Sequence, residues 1–306
     1  MPQIKPPASA TPTVRGTTEL ILTVANPIAQ VMAPQALNLI FSRFDVDAVC
    51  VPIWINEQQF DSFVTSALVA GNVRGMLVSI PHKTRLTKLL DRVDAAARLA
   101  GAANAVRRSG DAALEGALFD GSGFVGALRH HGVDLAGRRA LLLGAGGAGL
   151  AIASALASFS DGPVQLAVFD TAVERASHLV EVLKTVPSVR TSAHVATSND
   201  PSGFDLVINT TPLGLNANDP MPFDPLRLER SATVIDILMK SQPTPIERAC
   251  LDRGIRAFSG HEMMVQQIPD YLDFFGYDTV AKELRQADHP AMRSVRSAMS
   301  GRGHAA

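Results

Sequence analysis

The sequence predicts an α/β protein of two domains, each built around a largely parallel sheet. Three observations lead to this fold class. Short apolar segments alternate with amphipathic helical patterns almost throughout the chain. A glycine-rich turn near the middle joins a buried strand directly to an alanine-rich helix. The length of 306 residues exceeds what one hydrophobic core usually serves, so two domains are expected.

The predicted elements follow one another in a regular order. Strands are expected at 19–25, 46–55, 74–80, 140–143, 164–170, 190–197, 205–211, 233–238 and 255–260. Helices are expected near 34–44, 57–70, 83–100, 122–131, 172–185 and 244–253, and two amphipathic helices follow residue 260. Residues 101–120 predict a β-hairpin with Ser109-Gly110-Asp111 at its turn. Strands that alternate with helices in this way indicate parallel pairing.

Composition and charge exclude several classes of protein. The formal net charge of −1 gives no basic field for nucleic acid, and no apolar run is long enough to span a bilayer. The first residues contain no apolar segment of the secretory type. Cys50 and Cys250 are expected to be buried thiols in a reducing cytoplasm, and no Cys/His cluster has metal-ligand spacing. We therefore expect a cytoplasmic protein without metal, membrane or nucleic-acid partners.

The segment GAGGAG predicts a dinucleotide site. Gly144, Gly146 and Gly149 have G-x-G-x-x-G spacing between a strand and a helix. The first glycine permits a tight turn, the second lets a pyrophosphate approach the backbone, and the third lets helix and strand pack closely. With Gly147 and Ala148, they place free amides at a helix start, where a phosphate binds. The context favours a Rossmann-type doubly wound domain over a glycine-rich packing turn.

Residues after two later strands extend this site. Asp170 ends the next strand, where a carboxylate bonds the ribose hydroxyls and repels a 2′-phosphate, so NAD is expected over NADP. Alternatively, Asp170 caps the helix that starts near Ala172, and Arg175 complicates the preference. The segment INTTPLG places Thr210 and Pro212 at a carboxyl strand edge, which suits a loop beside the nicotinamide.

A lysine at the end of the strand at 74–80 is the candidate proton-transfer group. A nicotinamide enzyme needs a group that takes or gives the hydroxyl proton while hydride moves. Lys83 follows the apolar run directly, and Asp120 and Asn104 lie at later junctions of the chain. These three polar residues would converge at a cleft between the domains. The alternative for Lys83 by itself is a solvated charge at a helix start.

The chain resembles the shikimate/quinate dehydrogenase family over about residues 18–287. The segments that carry the resemblance are NPIAQVMAPQALN, VSIPHK, GAANAV, FDGSGF, GAGGAG, INTTPLG, DILMKSQPTP and MMVQQ. The resemblance implies that Lys83 is the catalytic lysine and Asp120 its partner. It also implies that Asn104 and Gln267 bind substrate hydroxyls, and that Ser79 stands where the family usually has threonine.

The resemblance also implies a reaction and a domain division. The family uses a nicotinamide cofactor to oxidise, reversibly, a ring hydroxyl of a cyclic polyhydroxy carboxylate. The implied domains are a substrate-binding catalytic domain of residues 18–122 plus 261–288 and an NAD-binding domain of 123–260. Residues 1–17 and 289–306 are expected to be disordered. The family allows a monomer or a homodimer.

This sequence departs from the family at one end of the substrate. The family's two carboxylate-binding serines, its motif asparagine and its Asp-x-x-Tyr tyrosine are replaced by Val31, Ala33, Leu77 and Met239. Gln30 and Thr23 are candidates for partial replacement. The sequence thus favours a dehydrogenase whose cyclic polyol substrate differs from shikimate at the carboxylate end. Alternatives are a conventional shikimate 5-dehydrogenase of aromatic amino acid biosynthesis and a non-catalytic dinucleotide sensor.

Overall fold

The computed structural model describes residues 14–159, 161–186, 191–216, 218–240 and 242–299. Its strands are β1 (Glu19–Ala25), β2 (Ala48–Trp54), β3 (Val73–Val78), β4 (Arg92–Val93), β5 (Ala105–Arg108), β6 (Leu114–Ala117), β7 (Arg139–Leu143), β8 (Gln165–Phe169), β9 (Ser192–Val195), β10 (Leu206–Asn209), β11 (Thr233–Asp236) and β12 (Arg256–Ser259). Its α-helices are α1 (Ala33–Arg43), α2 (Glu57–Ala67), α3 (Lys83–Leu86), α4 (Ala95–Ala100), α5 (Asp120–His130), α6 (Gly147–Ser158), α7 (Val173–Lys184), α8 (Pro245–Asp252), α9 (His261–Phe274), α10 (Asp278–Leu284) and α11 (Pro290–Met299).

The chain forms two compact units. The first contains the described residues up to Val93, the hairpin Ala103–Ala117 and the described residues from Ile268 onward. The second contains Asp94–Ala102 and Leu118–Gln267. The predicted division into 18–122 with 261–288 and 123–260 remains a prediction about which residues serve substrate and cofactor.

The sheet of the first unit has the strand order β2-β1-β3-β5-β6-β4. β1 pairs in parallel with β2 and β3, whereas β5 runs antiparallel to β3 and β6. The predicted hairpin is confirmed as β5 and β6, with Ala112 at φ +69° in its turn. The carboxyl ends of β1, β2 and β3 therefore lie at one edge of this sheet.

The sheet of the second unit has the order β12-β11-β10-β7-β8-β9, and every described pairing in it is parallel. This is a doubly wound order. The strands β7, β8 and β9 follow one another in one direction across the sheet, and β10, β11 and β12 follow one another in the opposite direction from β7. β7 and β10 are almost continuously apolar and buried because helices cover both faces of such a sheet. The predicted α/β fold class is confirmed.

Two predicted elements differ from the structure. The helix expected at 83–100 is interrupted, because Arg92–Val93 pair with β6 and the Asp94 carboxylate accepts a hydrogen bond from the Ala97 amide to begin α4. The tail expected to be disordered after residue 288 contains α11. Its apolar residues Ala291, Met292, Val295 and Met299 are buried, and it packs beside α1. The other residues expected to be disordered at 1–13 and 300–306, and residue 190 of a predicted strand, lie outside the described residues.

Both cysteines are buried, as predicted. Cys50 lies in β2 and Cys250 in α8, and burial raises the pKa of the Cys250 thiol to about 11. Among the described helices, none combines the length and apolarity that a bilayer crossing requires. The described residues contain no group of three or more His, Cys, Asp or Glu side chains arranged to hold a metal ion.

Candidate active site

The loop after β7 has a backbone shape that suits a phosphate. Gly144 has φ +97°, which residues with a Cβ rarely adopt. A Cβ on Gly149 would overlap the carbonyl oxygen of Gly144, so glycine lets α6 pack closely on the turn. A Cβ on Gly146 would meet nothing within 4 Å, which leaves an open backbone face. Gly147 and Ala148 begin α6 without a side-chain cap, so the helix start suits an anion.

The loop after β10 braces this glycine turn. The Thr210 amide donates a hydrogen bond to the Leu143 carbonyl at 2.8 Å. The Thr210 hydroxyl lies 2.8 Å from the Leu143 oxygen and 2.7 Å from the Gly144 oxygen. Pro212 is exposed in the same loop. Because β7 and β10 flank the reversal in strand order, both loops lie where ligands bind doubly wound sheets.

The carboxylate of Asp170 lies next to the glycine loop. Its carboxylate accepts hydrogen bonds from the Ala145 amide at 2.8 Å and the Ala172 amide at 2.9 Å, and pairs with Arg175 at 2.9 Å. Burial raises the pKa of this carboxyl, but the two amides and Arg175 together outweigh burial and lower the pKa overall. The carboxylate therefore holds both the glycine loop and the residue that precedes α7. Its predicted binding of the ribose hydroxyls stays a prediction.

Lys83 is the first residue of α3 in the first unit. His82 precedes it and is fully buried, with its ring stacked on Phe60 at a centroid distance of 4.4 Å. The His82 Nε2 atom lies 3.1 Å from the Ile55 carbonyl oxygen. The Lys83 carbonyl accepts a hydrogen bond from the Ala103 amide at 3.0 Å. The backbone of Lys83 is thus fixed on both sides, and its side chain is half-buried.

Asn104 is held in the same unit by both its backbone groups. Its amide donates to Ala117 at 2.9 Å, and its carbonyl accepts from Val78 at 2.8 Å. Its buried side-chain Nδ2 donates to the hydroxyl of Tyr271 at 3.2 Å. Sequence reasoning missed Tyr271, which lies 167 residues away along the chain. Ser79 is half-buried, and its amide donates to the Val24 carbonyl at 2.9 Å, which fixes the loop after β3 against β1.

Asp120 and Gln267 belong to the second unit. Asp120 begins α5 and is 3% exposed. A Cβ on Gly121 would lie 2.7 Å from the Ala151 carbonyl oxygen, so α5 packs closely on α6. A Cβ on Gly123 would collide with the Gln267 side chain, whose Nε2 donates to the Met263 carbonyl at 3.3 Å. The glycines of FDGSGF therefore bring the helix that carries Asp120 against Gln267.

Comparison with known proteins decides the family. A family model described as the shikimate dehydrogenase substrate binding domain matches residues 23–106. The shikimate dehydrogenase (NADP(+)) of Rubrobacter xylanophilus is 32% identical over 294 residues, which are 95% of this chain and 99% of that protein. The chain belongs to the shikimate dehydrogenase family. It is therefore an oxidoreductase of the shikimate and quinate dehydrogenase type.

Solved structures of this type share the fold. Shikimate 5-dehydrogenase from Listeria monocytogenes, in complex with shikimate and NAD, has a TM-score of 0.77 at 24% identity and covers 95% of this chain and 99% of that one. Ligand-free 5-ketofructose reductase of Gluconobacter sp. strain CHM43 has a TM-score of 0.73 at 23% identity, covering 87% and 98%. These likenesses concern the fold and agree with the predicted architecture.

Val31 and Ala33, the positions predicted to correspond to the family's carboxylate-binding serines, are both half-buried next to the N-cap of α1. Leu77, at the family's asparagine position, is 4% exposed in β3, opposite Thr23 of β1. The Thr23 hydroxyl lies 3.2 Å from Cys50 Sγ within the buried sheet. The structure therefore does not support Thr23 as a replacement ligand.

A buried polar network follows β11 and was missed by sequence reasoning. Asp236 is fully buried and accepts hydrogen bonds from Asn209 Nδ2 at 3.1 Å and the Thr244 hydroxyl at 2.6 Å. Burial raises the pKa of this carboxyl. Met239, three residues later and at the position predicted to correspond to the family's tyrosine, is half-buried. A carboxylate at the end of an apolar strand was the available signal for this network.

Proposed function

We propose that this enzyme reversibly oxidises a ring hydroxyl of a cyclic polyol that is uncharged where shikimate carries its carboxylate. One observation carries the proposal: Val31 and Ala33 stand at the two positions expected to bind the carboxylate, and Leu77 and Met239 at two further positions expected to be polar. The positions expected to serve the proton and the ring hydroxyls remain polar, as Lys83, Asp120, Ser79, Asn104 and Gln267. A site that keeps its proton-transfer groups but not its anion ligands fits a neutral substrate.

The proposed chemistry divides between the cofactor and the side chains. A nicotinamide dinucleotide, when bound, accepts hydride from the carbinol carbon or returns it to the ketone. The Lys83 amine takes the hydroxyl proton during oxidation and gives it back during reduction. Asp120 is the proposed partner of Lys83 in proton transfer, and Asn104 and Gln267 are the proposed ligands of the ring hydroxyls. The open glycine face and the uncapped start of α6 fit the cofactor's pyrophosphate.

The expected loss of shikimate binding can be bounded from the two positions where the family is expected to have serine. A hydrogen bond to a charged group contributes about 1.5–3 kcal/mol. Without two such bonds, the binding of shikimate is weaker by about 3–6 kcal/mol, or on the order of 10²–10⁴-fold. An uncharged substrate loses much less at the same positions, because its oxygens need no ionic partner.

A matched pair of substrates tests the proposal. Shikimate and methyl shikimate have the same ring hydroxyls and differ in the charge at the carboxylate end. We expect the methyl ester to give the higher kcat/KM in a steady-state assay with NAD, and quinate to be a poor substrate. Ordinary catalytic efficiency on shikimate, above that of the ester, would refute the altered specificity.

A conventional shikimate 5-dehydrogenase is the second candidate. The relative from Rubrobacter xylanophilus favours it, since that protein is named shikimate dehydrogenase (NADP(+)) and matches nearly the whole chain. In this case Val31 and Ala33 are tolerated, and backbone groups near α1 replace the serine hydroxyls. The same pair of substrates separates the two functions, because this candidate prefers shikimate to its ester.

We further propose that NAD is preferred over NADP. The charged Asp170 supports this preference because a carboxylate at the end of β8 repels a 2′-phosphate. Arg175, paired with it at 2.9 Å, opposes the preference, and the names of curated relatives specify NADP(+). The lowered pKa of Asp170 keeps its charge throughout the neutral range.

Asp170→Asn is expected to reduce the NAD-to-NADP ratio of kcat/KM by about tenfold, which corresponds to about 1.4 kcal/mol. The asparagine amide oxygen can still accept the hydrogen bond from Ala145, but it no longer repels a phosphate. Initial rates with each cofactor at fixed substrate measure the ratio. Arg175→Ala should move the ratio in the opposite direction. A wild-type preference for NADP that neither variant alters would contradict the assignment.

Tyr271→Phe is expected to raise KM by roughly fivefold and to change kcat little. The substitution removes the hydroxyl that accepts a hydrogen bond from Asn104 Nδ2. Without this bond the amide is less well oriented toward a ring hydroxyl. Steady-state kinetics with methyl shikimate measure the split between KM and kcat. The control is Tyr277→Phe, which makes the same substitution at the other tyrosine of the chain. Equal kinetics in wild type and Tyr271→Phe would rule out the orienting role.

A further inference from the structure

One buried amide in the first unit has no hydrogen-bond partner. The Nε2 atom of Gln30 is buried, and no atom of the described chain accepts a hydrogen bond from it. One side-chain atom each of His82, Ser154 and His261 is likewise buried and unpaired. A neutral imidazole always has one nitrogen without a proton, and a hydroxyl can rotate, whereas an amide nitrogen always carries two hydrogens. Because buried donors are nearly always paired, Gln30 indicates a partner from outside the chain.

The alternative orientation of the amide leads to the same requirement. Exchanging the oxygen and nitrogen of Gln30 would bury an unpaired acceptor in place of an unpaired donor. In either orientation, the side chain needs a polar atom that the described chain does not provide. The side chain as a whole is only half-buried, so a small molecule can reach its neighbourhood.

Gln30 lies at the substrate edge of the first unit. It belongs to the loop between β1 and α1, where the Asn26 amide donates to the Ile80 carbonyl at 3.0 Å. This bond joins the loop to the one after β3, which leads within three residues to Lys83. Both loops follow the carboxyl ends of neighbouring parallel strands, the edge at which ligands bind in α/β sheets.

The chemistry of this loop is that of a neutral ligand. Val31 and Ala33 offer no side-chain donor, and Gln30 is the donor directly adjacent to Val31 in the sequence. We propose that Gln30 Nε2 donates a hydrogen bond to an uncharged oxygen, a hydroxyl or carbonyl, at the end of the ring where shikimate carries its carboxylate. This inference rests on the proposed function. A single uncharged amide suits such an oxygen better than a carboxylate, which requires several donors or a cation.

The chain contains a built-in reporter for binding at this loop. Trp54 is the single tryptophan of the sequence. Its indole N–H donates to the Asn26 side-chain oxygen at 3.0 Å, so the ring is attached to the loop that carries Gln30. Trp54 is 60% exposed and therefore sensitive to its surroundings. Its fluorescence gives a Kd for methyl shikimate that does not depend on turnover.

The test is Gln30→Leu, which keeps the approximate size of the side chain and removes the amide. We expect the Kd and KM for methyl shikimate to rise roughly fivefold, with kcat little changed. We also expect Tm to be retained or raised, because an unpaired buried donor has been removed. Gln58→Leu, at an exposed position of α2, is the matched control and should leave Kd, KM and Tm unchanged.

Two results would overturn the inference. An unchanged Kd for methyl shikimate in Gln30→Leu would mean that the amide binds only water. A lowered Tm would mean that the amide stabilises the fold. The proposed function is judged separately, on the wild-type ratio of kcat/KM for ester and acid. If wild type prefers shikimate while Gln30→Leu still weakens the ester, the proposed function fails and Gln30 remains a binding residue.

Discussion

Replacing Lys83 with methionine is expected to lower kcat by about 10³-fold, within the range usual for loss of a general acid–base group. Methionine keeps an unbranched, flexible side chain on the half-buried first residue of α3, so packing changes little. The amine proposed to take the hydroxyl proton is lost, and solvent replaces it poorly. Steady-state rates with the preferred substrate measure the effect.

Lys88→Met provides the matched control for this experiment. Lys88 lies five residues further along the same segment and is exposed, so its loss should change kcat by less than twofold. Retention of more than a fifth of the wild-type kcat by Lys83→Met would remove Lys83 from the proposed chemistry.

The double substitution Val31→Ser with Ala33→Ser is expected to raise kcat/KM for shikimate by on the order of 10²-fold, the lower end of what two hydrogen bonds to a charged group contribute. Both positions are half-buried and lie at the beginning of α1, where serine is readily accommodated. The restored hydroxyls bind a carboxylate and give little to an ester. The ratio of kcat/KM for shikimate to that for methyl shikimate should therefore rise with kcat nearly constant.

Val69→Ser is the control for the valine change, since Val69 is 66% exposed and lies outside the loop. It should leave the ratio of the two substrates unaltered. If the double variant folds with an unchanged Tm and the ratio still does not move, Val31 and Ala33 do not contact the carboxylate end. The altered specificity would then need another source, such as Leu77 or Met239.

Much of the fold follows from local patterns in the sequence. The apolar run 140–143, the glycines after it and the alanine-rich helix predicted a strand, a turn and a helix that the structure contains. β1 was predicted with its observed ends, because its short apolar run is a local feature of the sequence. The break at β4 was not predictable in this way. Arg92 leaves the helical path to pair with Glu115, which is brought to it by the hairpin.

The candidate site shows the same division. The family resemblance implied Lys83, Asp120, Asn104 and Gln267 as site residues, and the structure buries the last three. Their roles remain predictions, which the substitutions above can test. Sequence patterns gave no sign of Tyr271 beside Asn104, since the two residues are 167 positions apart.

By itself, the sequence determined the glycine turn, the family and most of the strands and helices, though not β4 or α11, because these features depend on periodicity and on short runs of neighbouring residues. Only the tertiary structure decided which polar atoms are paired. It joined Asp170 to Ala145 and Arg175, placed Thr23 against Cys50 rather than the site, and left the Gln30 amide buried without a partner. Hydrogen bonds between distant segments depend on how strands and helices pack, and no local pattern specifies that packing.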